Sequence, residues 1–201
     1  MKSPRLAILA LSCLMALPAA GQQSNKSSFT IMGGMTMFKL SQSGTGAVTL
    51  DNATGFMGGI GMIKPVSGPV GLEIDAAYVQ KGAASTASGV TYTTHENFAE
   101  GMVMLRPVFG TGEAKFFLLG GGEVGYYVSC AYAGGTVTTS CTIASGDKRT
   151  DYGLVFGGGV QFNKLAVQVR YDLGLANLST STVSGFTAKN QGIMIMGSFI
   201  M

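Results

Sequence analysis

The 201-residue sequence contains no tryptophan, only five prolines, three cysteines and one histidine, and only 11% of it is charged. Soluble domains carry about 25% charge. This shortage, with 46% hydrophobic residues, excludes a disordered chain, a coiled coil and a charged tail. A net charge of +3 with no basic patch excludes nucleic acid as a partner. After residue 21 the longest apolar stretches are broken by Gly, so no run of 18 residues can form a transmembrane helix. Two remaining cysteines and one distant histidine supply no metal-ligand spacing, and neither metal nor other cofactor is expected. Glycine is what abounds: 31 residues, about twice the usual share, without the period of collagen.

At the N-terminus Lys2 and Arg5 precede an apolar run over 6–17, followed by Pro18, small residues and the polar Gln22, Gln23, Ser24 and Asn25. This is the layout of a secretory signal peptide, and the run is too short to span a bilayer. Ala19 and Gly21 occupy the cleavage-sensing positions, which places the signal at 1–21, a short extension at 22–28 and the main domain at 29–201. Cys13 lies in mid-run behind Ala10-Leu11-Ser12, a poor lipidation box. Export brings Cys130 and Cys141 into an oxidising compartment, where a disulfide stiffening the longest loop is expected.

Beyond the signal the pattern alternates with period two. In 165–173 the residues Leu165, Val167, Val169, Tyr171 and Leu173 share one face, opposite Ala166, Gln168, Arg170 and Asp172. Successive side chains of a strand point to opposite sides, so this segment reads as a two-faced strand. Comparable segments are 29–39, 55–64, 72–78, 98–106, 115–128, 151–162 and 191–201, eight in all. The connections alternate long and short: 40–54, 65–69, 81–97, 107–114, 129–150, 163–164 and 174–190.

Alternate connections of an up-and-down sheet lie at the same end. Short turns at one end and long loops at the other are the layout of an eight-stranded antiparallel transmembrane β-barrel in an outer membrane. Closure pairs the backbone groups, as lipid requires. The apolar face then points to lipid and the polar face into a lumen just wide enough for side chains. There Glu73, Asp75, Glu100, Glu123 and Asp172 are expected to meet Arg106, Lys115 and Arg170 in an ion-paired plug, with Gly157 and Gly159 leaving room for long side chains. Aromatics near strand ends suit the interfacial girdles.

Three segments carry a resemblance. Tyr78-Val79-Gln80-Lys81-Gly82, Asp151-Tyr152-Gly153-Leu154-Val155-Phe156-Gly157-Gly158-Gly159 and Arg170-Tyr171-Asp172-Leu173-Gly174-Leu175 resemble the PorT-like outer-membrane β-barrel domain, similar in architecture to OmpA/OmpX-type small barrels. The resemblance spans 29–201 and implies an outer-membrane location and insertion by the barrel-assembly machinery. It supplies no catalytic residues. Family barrels end in an aromatic residue; here Phe199 stands two residues before the end, on the same strand face as Met201.

Other motifs read more simply. The G-x-G-x-x-G of 120–125 continues into Tyr126-Tyr127-Val128 rather than a helix, unlike a dinucleotide site. Ser85, Ser88, His95 and Glu96 fall in one loop with no strand-held nucleophile and base, and Glu73 with Asp75 is expected to pair with Arg170. Asp147-Lys148-Arg149 reads as a solvated charge run. The sequence thus points to a non-pore outer-membrane barrel, not an enzyme, in contact with lipid. Its structural or surface role falls to four extracellular loops that meet a protein or glycan ligand. Alternatives are an accessory role in secretion or envelope assembly, a lipid-modifying enzyme, and a soluble lipocalin-like carrier. The carrier requires the opposite facing of apolar and charged residues.

Overall fold

The computed structural model describes residues 26–110, 112–134, 137–142, 148–179 and 183–201. The segment assigned to a signal peptide lies outside them, as does Asp147. All described regular elements are strands: β1 (Ser28–Ser43), β2 (Asp51–Ser67), β3 (Val70–Ala87), β4 (Val90–Phe109), β5 (Ala114–Gly134), β6 (Val137–Ser140), β7 (Thr150–Phe162), β8 (Leu165–Gly174) and β9 (Thr187–Ile200). Every pairing is antiparallel. β1 pairs with both β2 and β9, and β4 with β5, so β1–β5 and β7–β9 close an eight-stranded ring. β6 stands outside the ring as a hairpin arm on β5, with Ala131 opposite Ser140 and Gly134 opposite Val137. A disulfide between Cys130 and Cys141 ties the base of that hairpin.

Side chains alternate around the ring. Phe29, Ile31, Phe56, Ile60, Leu118, Val124, Phe156, Val167, Val169 and Ile195 point outward. Phe29, Phe109, Phe116, Phe162 and Phe199 ring the turn end, and Tyr78, Tyr126 and Tyr152 lie toward the loop end. Ten residues separate Phe116 from Tyr126, and ten separate Tyr152 from Phe162. At about 3.4 Å per residue and a tilt of about 40°, ten residues rise about 26 Å, the height of an outer-membrane apolar band. This outward apolar face removes the lipocalin-like alternative.

The lumen is more apolar than alternation alone suggested. Met32, Met57, Met102, Met104, Met194 and Met196 are buried with Phe38, Phe117, Val79 and Val155, around the ionic groups. Unbranched methionine fits the irregular gaps left by long charged side chains. Glycine makes the room at particular points: a Cβ on Gly157 would lie 3.0 Å from the Arg170 Cα and 3.2 Å from its Cγ.

Strands reach into the long connections, and one connection is strand throughout but for its turn. The segment 81–97, read as a long loop, is instead a continued hairpin: β3 and β4 run in register from Lys81 opposite Glu96 to Ala87 opposite Val90. Only Ser88 and Gly89 turn, both with positive φ (52° and 76°). The arms beyond Lys81 add six residues, about 20 Å of strand. Clear of lipid, these arms need no apolar outer face, so their alternation is lost while the ladder persists. The opposite end keeps short turns, at 68–69, 110–113 and 163–164.

Candidate functional site

Irregular pairing marks the level at which the barrel passes from lipid to its loop end. The β2–β3 register shifts between Asn52 and Met57, and β4–β5 shifts between Asn97 and Phe98, where Val128 is the extra residue. Bulges re-aim side chains and leave ladder groups to be satisfied otherwise. Here the Thr36 hydroxyl donates to the Gln80 carbonyl at 2.6 Å, Gln80 Nε2 donates to Asn97 Oδ1 at 3.0 Å, and Asn97 Nδ2 donates to Ser129 Oγ at 3.0 Å.

Below that level the ionic residues divide into two clusters. On the turn side, Arg170 Nη1 donates to Asp75 Oδ2 at 2.7 Å and its Nη2 to Glu73 Oε1 at 2.6 Å. Arg106 Nε lies 3.0 Å from Glu73 Oε2, its Nη2 donates to Gln161 Oε1 at 3.0 Å, and its guanidinium stacks 3.8 Å from the centre of the Phe117 ring. Two guanidiniums face two carboxylates, so this cluster is formally neutral. Arginine's planar fork suits it to such buried, two-pronged contacts.

On the loop side a single ammonium is surrounded. Lys81 Nζ lies 2.8 Å from Asp172 Oδ2, 2.9 Å from Glu100 Oε1, 3.1 Å from Glu123 Oε1 and 3.4 Å from Asp151 Oδ2. All five side chains are fully buried. Lys81 also sits 5.1 and 5.5 Å from the Phe38 and Phe98 ring centres, within cation–π range. Asn190 Nδ2 donates to Asp151 Oδ2 at 3.0 Å. One positive charge faces four carboxylates, a formal excess of three negative charges.

The structure therefore places Glu73, Asp75, Arg106 and Arg170 in one cluster and Glu100, Glu123 and Asp172 in the other. Lys115 joins neither. It is exposed at the turn-end mouth, beside Gln161 and Asn163. The sequence reading missed Lys81 and Asp151. Lys81 falls in the expected loop 81–97, yet it continues the odd-numbered inward series of Glu73, Asp75, Ala77 and Val79. Ser85 and His95 belong to the strands of the β3–β4 hairpin rather than to a loop. Ser85 stands opposite Tyr92 and His95 opposite Gly82, so the register does not bring the two together. Glu100, Glu123 and Asp172 offer oxygens within 4.8 Å of one another, but the Lys81 ammonium already lies among them.

Above the Lys81 cluster the barrel opens at its loop end into a cavity of about 210 Å³, lined by Leu40, Leu50, Tyr92, Glu96, Tyr132 and Asn190 among others. Tyr92 and Tyr132 stack there with ring centres 5.9 Å apart.

Residues 20–180 match the family model described as outer membrane protein beta-barrel domain. Among curated proteins no sequence matches. Solved structures of similar fold include Neisserial surface protein A, at 13% identity over 87% of this chain and 98% of that one, with a TM-score of 0.47. OprG of Pseudomonas aeruginosa is similar at 15% identity over 88% and 97%, TM-score 0.44. The attachment invasion locus protein Ail of Yersinia pestis is similar at 17% identity over 87% and 98%, TM-score 0.41.

Proposed function

The chain belongs to the outer membrane protein β-barrel domain family, and from that premise we propose that it is a non-conducting barrel whose interactions are made at its loop end. The observation that carries this reading is the filled lumen. Lys81 and Arg170 cross it at two depths, each fully buried, Lys81 held by carboxylates from β4, β5, β7 and β8 and Arg170 by Glu73 and Asp75 of β3. Water cannot thread such a plug without breaking charge-assisted hydrogen bonds in a low-dielectric interior. The projecting β3–β4 hairpin and the disulfide-tied β5–β6 hairpin supply surface for an extracellular protein or glycan. Within the family, the Tyr78–Gly82, Asp151–Gly159 and Arg170–Leu175 motifs set it beside the PorT-like barrels, and the barrel-assembly machinery is its partner during insertion. No catalytic step is assigned: Glu73 and Asp75 are held by Arg170, and Ser85 and His95 stand apart.

Conductance across planar lipid bilayers tests the reading. The purified, refolded barrel is expected to show no unitary current steps. Steady, ohmic steps from protein shown to be folded by its heat-modifiable gel mobility would overturn it.

A further inference from the structure

We propose that the turn end of the barrel is a docking site for an anionic glycerophospholipid, whose phosphate is held between Lys115 and Lys164. The site lies at the opposite end from the loop-end interactions and does not depend on them; lipid retention and bilayer conductance are read separately, so either can fail alone.

Three observations converge. First, the turn end carries positive charge that nothing near it balances. The side chains of Lys26, Lys64, Lys115 and Lys164 are exposed there, against the single exposed carboxylate side chain of Glu113. Among the described residues none of these five side chains forms an ion pair or a hydrogen bond, whereas Lys81, Arg106 and Arg170 are all engaged in the lumen. The ion cluster beneath the mouth is formally neutral and does not offset the lysines. Second, the lysines stand at headgroup depth. Lys115 directly precedes Phe116, Lys164 stands two residues beyond Phe162, and Lys64 lies two residues beyond Met62, which pairs with Phe29. At about 3.4 Å per residue and a tilt of about 40°, one or two residues carry the backbone about 3–5 Å past the aromatic girdle. Headgroups add about 5–7 Å to each side of the hydrocarbon layer. The ammonium groups therefore meet lipid phosphates, and the acyl chains continue down the outward apolar face. Third, the rim forms a fixed frame. Lys115 and Lys164 line one cavity of about 500 Å³ with Gly112, Glu113, Gln161 and Asn163. Its walls are two turns pinned together. The Asn163 N–H donates to the Glu113 carbonyl at 3.3 Å, and Gln161, which accepts from Arg106 Nη2, donates through Nε2 to the Asn163 carbonyl at 3.0 Å. A site set before its ligand arrives loses less in ordering. The Glu113 carboxylate is an acceptor only, so it favours a headgroup with hydroxyl donors, such as glycerol, over choline, which has none.

The test uses the full mature barrel refolded in a non-ionic detergent, with native mass spectrometry counting bound lipid. Phosphatidylglycerol and phosphatidylcholine with identical acyl chains compete at equal concentration, and sodium phosphate is added as a separate probe. The proposal expects phosphatidylglycerol to be retained over phosphatidylcholine and not to be displaced by equimolar phosphate. At about fivefold per lysine near an anionic surface, Lys115→Gln combined with Lys164→Gln is expected to weaken retention about 25-fold. Lys39→Gln combined with Lys189→Gln removes the same charge at the loop end of β1 and β9, and is expected to leave retention unchanged. Heat-modifiable mobility verifies folding, and the two turn-end single variants, each about fivefold weaker, remain as readouts if the pair fails to fold. The proposal is overturned if the two lipids bind equally, if equimolar phosphate displaces phosphatidylglycerol, if the turn-end variants bind as the unaltered barrel does, or if the loop-end pair weakens binding as much.

Discussion

Replacing Lys81 by methionine isolates the charge at the centre of the loop-side cluster. Methionine is close to lysine in length and remains compatible with the Phe38 and Phe98 rings, so packing is largely kept while the ammonium disappears. Four carboxylates, now between 2.8 and 3.4 Å from the ammonium, then share a buried space with no cation. Breaking one buried ion pair costs about 3–5 kcal/mol, mostly because the surviving charge is left uncompensated. With four survivors the loss is placed at the top of that range, about 5 kcal/mol. The assay is urea unfolding of the barrel refolded into lipid vesicles, followed by gel mobility without boiling. A matched variant separates charge from shape: Lys81→Met combined with Glu100→Gln and Asp172→Asn leaves fewer unbalanced charges, and is expected to recover more than half of the loss. If Lys81→Met alone unfolds within about 1 kcal/mol of the unaltered barrel, the ammonium is not what neutralises this cluster and the reasoning is wrong. The reasoning also fails if the triple variant is no more stable than the single one.

Other perturbations follow from the same geometry. Arg170→Met strips Glu73 and Asp75 of their principal cation and is expected to cost about 3–5 kcal/mol in urea unfolding, whereas Lys115→Ala, at the exposed turn-end mouth, should stay within about 0.5 kcal/mol. Ile195→Arg puts a charge on the lipid face, opposite Val169 and Met35, and is expected to destabilise by about 2–4 kcal/mol if those residues lie near the bilayer midplane; no loss would contradict the outward facing. Gly157→Val forces a side chain against Arg170 and is expected to lower the refolded yield seen by heat-modifiable mobility. Reducing the Cys130–Cys141 bridge should expose the β5–β6 hairpin to protease while the ring remains resistant, because that hairpin lies outside the closed sheet.

Period-two alternation made the eight ring strands legible, because lipid demands an apolar face wherever a strand crosses it. The same cause explains what was hidden. Beyond Tyr78 the outer face no longer meets lipid, so the arms 82–87 and 90–95 keep no apolar alternation and read as a loop. Their content of Thr and Val was the remaining strand signal, and it was outweighed by the Gly, Ser and Ala around it. Asp151 was placed correctly on the polar face of its strand but not joined to any charge, since pairing across the lumen depends on registers that no single strand contains.

Parity gives a residue's face but not its depth, and the contrast between Lys81 and Lys115 turns on that distinction. Both stand on inward-facing positions by alternation: Lys81 follows Val79, and Lys115 precedes Phe117 and Leu119. Lys115 is the second residue of β5, opposite Gln161, where the lumen already opens to the turn-end mouth. Lys81 lies inside the ring because β3 continues past it to Ala87 and β4 starts as far back as Val90. Moving the inward lysine from the turn side to the loop side changes the charge balance. The turn side is left with two arginines against Glu73 and Asp75, a neutral plug, while the loop side gains one lysine against four acids. Had Lys115 been the buried cation, the turn side would hold one cation too many and the loop-end opening would lie above four carboxylates with no ammonium at all, the same asymmetry made larger. The strand extension thus does two things at once: it raises a hairpin above the membrane and it carries into the lumen the one cation that the surrounding carboxylates require.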